Sequence, residues 1–170
     1  HHNASWKAAY LNKWILRRNA CLAELHRRTD TIRRLNRGLY ETPMAWTGAA
    51  LEAAGRRYGI SPYFIAAIAG TESSFGAAAC SGNPRNAFGL SSCGAGWHVP
   101  YFPTWKSAYL FMAKFLTARW PSANSTYDYH GYAACSSCWG AKTAQHMRSR
   151  FGVGPEVRYL IKDGTFSLFA

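Results

Sequence analysis

Acidic residues are scarce in this chain. Eight of its 170 residues are Asp or Glu, against twenty Lys and Arg, for a formal net charge of +12. That imbalance points to a polyanionic partner: nucleic acid, an anionic membrane surface, or a bacterial wall with teichoic acids and stem-peptide carboxylates. No apolar run approaches the roughly 18–20 residues that a membrane-spanning helix needs. Internal repeats and low-complexity tracts are absent, which excludes a solenoid. Charged residues make up only 16%, yet aromatics reach 15% with seven Trp, so the chain is not a disordered tail. No secretory apolar segment opens it, and His1-His2 resembles the remnant of an expression tag, which leaves the sequence silent on any native targeting signal. The length suits one domain with a real core, residues 41–170, preceded by a basic amphipathic helix or stem over residues 1–40.

In that stem Trp6, Tyr10, Trp14, Cys21, Leu25, Ile32, Leu35 and Leu39 fall near one helical face, among Lys and Arg residues opposed only by Glu24 and Asp30. Glu24 with Arg28 and Asp30 with Arg34 are spaced as helical ion pairs. The pattern fits a packing helix with a solvated basic face better than a nucleic-acid or membrane binder, and Arg18 and Arg28 interrupt the stripe that a long coiled coil would need. Glu41-Thr-Pro-Met breaks the chain. A helix then runs from about Thr47 to Tyr58, with Gly59 in the C′ position, and Ala49, Ala50, Ala53 and Ala54 permit close approach of the next helix.

That next helix organises the chain. Ser61 is a good N-cap, and Pro62 occupies the first helical position, where its missing N–H costs nothing. Phe64, Ile65, Ile68 and Ala69 mark an apolar face, and Glu72 follows Ile65 and Ile68 at helical spacing. A carboxylate on that face is expected to be desolvated, which disfavours its charged form and suits a general acid. The competing reading is a structural pair with one of the many Arg residues. Residues 80–103 are dense in Gly, Pro, Asn and Ser and predict an irregular or short-hairpin lobe, bracketed by Cys80 and Cys93, whose disulfide would staple a loop with little core of its own. Within it, Trp97 and Tyr101 are suited to lining a sugar-binding groove, although packing in the core is the commoner place for any one such ring. Thr104 caps a helix to about Arg119, residues 120–137 return to loop, and helices are expected from about Trp139 to Phe151 and briefly after Pro155. The fold class is mainly α.

Three segments carry a resemblance: Glu72-Ser-Ser-Phe-Gly leading to Asn86-Ala-Phe-Gly-Leu90, then Phe102-Pro-Thr-Trp-Lys-Ser-Ala-Tyr109, then Gly131-Tyr-Ala. In this order, over about residues 45–152, they resemble the lysozyme-like superfamily of peptidoglycan-cleaving enzymes, closest to bacterial and phage glucosaminidases and lytic transglycosylases. The resemblance implies a lysozyme-like catalytic domain over residues 41–170, with a helical lobe beside the irregular one. It implies Glu72 as general acid and Tyr132 as a hydroxyl stabilising charge on the sugar ring. It further implies Ser73, Asn86 and Phe88 near the substrate, with Asn86 toward an acetamido group. Peptidoglycan glycan strands and anionic wall polymers would be the partners, with no nucleic acid, no cofactor and no metal. The setting would be secreted, at the cell wall, or in a phage virion or lysin, as a monomer or part of a larger chain.

Glycosidic cleavage usually takes two carboxylates. Glu24, Asp30, Glu41 and Glu52 are expected on exposed helix faces or ends, and Glu156 and Asp163 lie near the C-terminus. Asp128 is left as the second carboxylate in a loop near the motifs. Either Asp128 serves, or one Glu suffices, as in lytic transglycosylases. Cys135-Ser-Ser-Cys138 with His130 and His146 could in principle hold zinc, but finger spacings are not met. A local Cys135–Cys138 bond, or a pairing of either with Cys80 or Cys93, is favoured, with Cys21 left as a buried free thiol. The alternative to an enzyme is a non-catalytic basic helical module that grips wall polymer or nucleic acid.

Overall fold

The structure, a computed structural model, describes residues 3–91 and 99–160. Among the described residues are five α-helices and no sheet. They are α1 (Asn3–Gly38), α2 (Gly48–Tyr58), α3 (Pro62–Ser73), α4 (Trp105–Arg119) and α5 (Ser136–Phe151), with one 3₁₀ turn at Thr126–Asp128. The chain up to Asp30 belongs to one compact unit, and Thr31–Leu160 forms another. None of the described helices is long and apolar enough to cross a membrane.

In the first unit, Trp6, Tyr10, Trp14 and Leu25 are exposed, and Cys21 is a free thiol. It is half-buried rather than buried. Glu24 departs from the exposed position expected of it: it is buried and takes a two-pronged bond from Arg27, Nη2 to Oε1 at 2.7 Å and Nε to Oε2 at 2.9 Å. A planar guanidinium matches both carboxylate oxygens at once, which makes this the stronger geometry.

α3 is the central element of the second unit. Its residues from Phe64 to Gly70 are buried on every side, which is the signature of a core helix. It packs against α2, α4 and α5. Its start is as the sequence predicts, with the Ser61 hydroxyl accepting from the Phe64 N–H and Pro62 in the first turn. Gly59 closes α2 in a left-handed conformation, its N–H bonded to Gly55 O. Thr104 and Ser107 form a reciprocal capping box at the start of α4. After Glu72 the chain turns sharply through left-handed Ser74, Phe75 and Gly76, so Ala77–Cys80 does not extend α3.

α5 begins one turn earlier than expected. Cys135 is its N-cap and is bonded to Cys138, because the Cys-x-x-Cys spacing matches one helical turn. The short helix expected after Pro155 does not form. Residues 155–160 instead run extended, with bridges Ile60 to Arg158 and Ser125 to Glu156. Val157 and Tyr159 alternate as buried residues with exposed Glu156, Arg158 and Leu160, a strand-like period. Backbone partners offered by Ser61, Asn124, Thr126 and Gly59 then satisfy this segment better than a lone helical turn could. Tyr159 reaches Glu52, and that carboxylate corrects a second expectation. Far from lying on an exposed face, Glu52 is fully buried, with Arg56 Nε at 3.2 Å and the Tyr159 hydroxyl at 3.4 Å. The passing C-terminal segment covers a helix face that would otherwise be solvated.

The described part of the irregular lobe contains neither helix nor hairpin. Buried Asn83 ties it together, donating to Pro100 O at 3.0 Å and accepting from the Phe102 N–H at 3.1 Å.

Candidate functional site

Glu72 stands in the last turn of α3, where the helix emerges from the core. The expectation of a desolvated carboxylate is not met: the residue is exposed. The reason is that α3 is apolar all round, so the stripe Phe64–Ile68 does not single out a side, and Glu72 lies in its last turn, past the buried run Phe64–Gly70. Its hydrogen-bond partner is a neutral indole rather than a cation. Trp139 Nε1 donates to Glu72 Oε1 at 2.6 Å. The two carboxylates with structural roles, Glu24 and Glu52, bond to Arg27 and Arg56.

Trp139 is itself held. Its ring stacks on Tyr132 at 4.5 Å and 29°, and it meets Tyr129 and Phe64 on other sides. The Tyr132 hydroxyl donates to Phe88 O at 2.7 Å. Burial first, and the nearby Glu72 charge second, push that hydroxyl well above the ordinary tyrosine range. From Phe88 the chain passes to Gly89, where a Cβ would lie 2.5 Å from Glu72 Oε2. A side chain there would push the carboxylate back, and the φ of +66° favours glycine as well. A closed circuit therefore runs from Glu72 through Trp139 and Tyr132 to Phe88-Gly89 and back to Glu72. Beside it, Thr71 Oγ1 lies 2.9 Å from Thr143 Oγ1, and Lys142 Nζ donates to Thr71 O at 3.3 Å, which fasten α5 to the end of α3.

The other sequence-predicted residues take these places. Ser73 is buried; its hydroxyl donates to Ala87 O at 2.7 Å and accepts from the Gly76 N–H, so it staples the Asn86–Leu90 segment to α3 instead of facing outward. Asn86 Nδ2 donates to Leu90 O at 2.6 Å and closes the turn that presents Gly89. The Phe88 ring is fully buried against Tyr109, so its carbonyl, not its ring, belongs to the circuit. Tyr101 is exposed. Trp97 lies outside the described residues. Asp128 caps its own turn: Oδ2 accepts from the N–H groups of Asn124 and Ser125, both at 2.8 Å. Those two bonds hold its carboxyl below the usual aspartate range. Cys80 is disulfide-bonded, while Cys93, its expected partner, lies outside the described residues. With Cys135 bonded to Cys138, no group of His, Cys, Asp or Glu among the described residues is arranged to hold a metal.

Sequence reasoning missed Trp139 as a site residue. Its signal was available in principle, since an indole N–H on a packing face must find an acceptor.

Chemically, the circuit fixes one carboxylate from two sides while leaving it open to solvent, with a tyrosine hydroxyl and a backbone carbonyl alongside. Such a group can exchange a proton with a ligand laid over it. No family model, curated protein or solved structure matches this chain.

Proposed function

We propose that this chain is a lysozyme-like enzyme that cleaves β-1,4 glycosidic bonds of peptidoglycan glycan strands, with Glu72 protonating the leaving oxygen. One observation carries the reading. Three segments far apart in sequence, at Glu72, Phe88-Gly89 and Tyr132–Trp139, converge on a single carboxylate whose partner is a neutral donor. A carboxylate kept only for stability would be expected to pair with a cation, as Glu24 and Glu52 do. The desolvation that a proton donor needs would come from the glycan covering the exposed Glu72. The net charge of +12 suits an anionic wall and a setting at the cell wall or in a lysin.

The single-carboxylate route is favoured within this reading. Asp128 is engaged by backbone N–H groups of its own turn, whereas Tyr132 is in the circuit. In the transglycosylase form the substrate's own hydroxyl closes an anhydro ring, and charge stabilisation falls to neutral dipoles, which act strongly where water is excluded.

The test is mass spectrometry of digested peptidoglycan. New reducing ends at N-acetylglucosamine indicate a glucosaminidase, those at N-acetylmuramic acid a muramidase, and anhydro-muramic ends a transglycosylase. Glu72→Gln keeps the shape and removes the acid, so cleavage should fall by roughly two to four orders of magnitude. Retention of more than about a tenth of wild-type activity ends the assignment, and wall binding without any cleavage by the wild type makes the chain a binding module.

A further inference from the structure

The loop between α1 and α2 turns two aromatic side chains outward. Trp46 is 74% exposed and Tyr40 57%. Their rings meet edge to face, with centroids 6.3 Å and planes 82° apart, and so form an open right-angled corner. The loop that carries them is tightly bonded. Thr42 Oγ1 donates to Leu39 O at 2.7 Å and accepts from the Met44 N–H at 3.2 Å; Thr47 Oγ1 donates to Met44 O at 2.7 Å. Met44 between them is fully buried. Within this frame Glu41 and Trp46 both take left-handed backbone, with φ of 61° and 64°. Bulky residues seldom adopt it, and such conformations persist where the surroundings enforce them, typically at ligand clamps. The same loop leans on the turn that follows Glu72: a Cβ at Gly76 would lie 3.4 Å from Pro43 Cβ and 3.1 Å from the Trp105 indole.

The geometry points to a carbohydrate-stacking subsite at Tyr40 and Trp46 that takes a pyranose ring of the glycan strand away from the bond cut at Glu72. This inference rests on the glycan-cleaving function proposed above. An outward indole offers a flat apolar face that complements the C–H face of a pyranose, while Tyr40 walls one side and adds a hydroxyl. In a chain of net charge +12, no Lys or Arg occurs between Arg37 and Arg56, so this segment offers stacking and hydrogen bonding instead of attraction for phosphate. The corner's own side chains thus suit the uncharged face of a sugar better than a phosphate backbone.

The experiment is cosedimentation of the full chain with purified peptidoglycan sacculi, read in a Glu72→Gln background so that the wall is not consumed. Trp46→Ala should weaken binding about tenfold, the loss expected for truncating an aromatic anchor. Trp46→Phe should retain most of the binding, and Tyr40→Ala should fall between. In chains with Glu72 intact, Trp46→Ala should raise KM on long glycan strands and leave kcat within about twofold, because the ring stacks on sugar and does no chemistry. Melting temperatures should match the wild type, since both side chains are exposed. Unchanged sedimentation of Trp46→Ala overturns the subsite, as does light scattering that shows a wild-type dimer and a Trp46→Ala monomer, which would make the corner a contact between copies. The two readings fail separately. Trp46-dependent binding without released fragments sinks the cleavage reading and keeps the subsite, whereas cleavage indifferent to Trp46 sinks the subsite alone.

Discussion

Gly89→Ala isolates the contact on which the site depends. The added methyl would lie 2.5 Å from Glu72 Oε2, 3.0 Å from Cδ and 3.3 Å from Cγ. Ordinary contacts lie near 3.5 Å, so the carboxylate must retreat by about 1 Å. The clash falls on the free end of a flexible side chain, so the fold can yield there while the 2.6 Å bond from Trp139 is lost or bent. Holding alanine at a φ of +66° adds about 1–2 kcal/mol of backbone cost, which in a chain of this length lowers the melting temperature by about 2–8 °C. A displacement of 1 Å at the reacting group costs about a hundredfold in rate. Under the proposed function, the expected outcome is therefore a folded protein, modestly less stable, that clears a wall suspension about a hundred times more slowly. Circular dichroism melts and turbidity clearing on the same preparation measure both quantities. Gly82→Ala is the control, because a Cβ there meets nothing within 4 Å and should change neither. Wild-type clearing by a folded Gly89→Ala protein would refute the idea that this backbone approach positions Glu72.

Two further outcomes are expected. Tyr132→Phe leaves the Phe88 carbonyl without its 2.7 Å donor and should slow cleavage strongly, while Asp128→Asn should be mild; near-normal rates for both, measured as turnover on one wall preparation, would mean that the reacting groups lie elsewhere. Non-reducing peptide maps should link Cys80 to Cys93 and Cys135 to Cys138, with Cys21 open to alkylation, and removal of the Cys80–Cys93 bridge should cost about 3 kcal/mol in the chain-entropy model. A Cys21-linked peptide would overturn that pairing.

The sequence by itself determined what local chemistry controls. The Ser61-Pro62 start of α3, the Thr104 cap of α4 and the left-handed Gly59 after α2 are set by residues within one turn of each other, where backbone geometry and a single hydroxyl suffice. Glu72 stood out in the sequence because it follows an apolar helical run. The tertiary structure alone decided what surrounds it. Trp139 is 67 residues from Glu72 and Phe88 is 44 from Tyr132, and no periodicity encodes which indole or carbonyl the fold will deliver. The same holds for burial. Glu72 was expected to be buried and is exposed, while Glu52 was expected to be exposed and is sealed under Tyr159, because solvation depends on which distant segment passes over a helix face. The segment after Pro155 shows the principle from the other side: a few residues too short to hold a helix alone take whatever backbone partners the packed helices leave open.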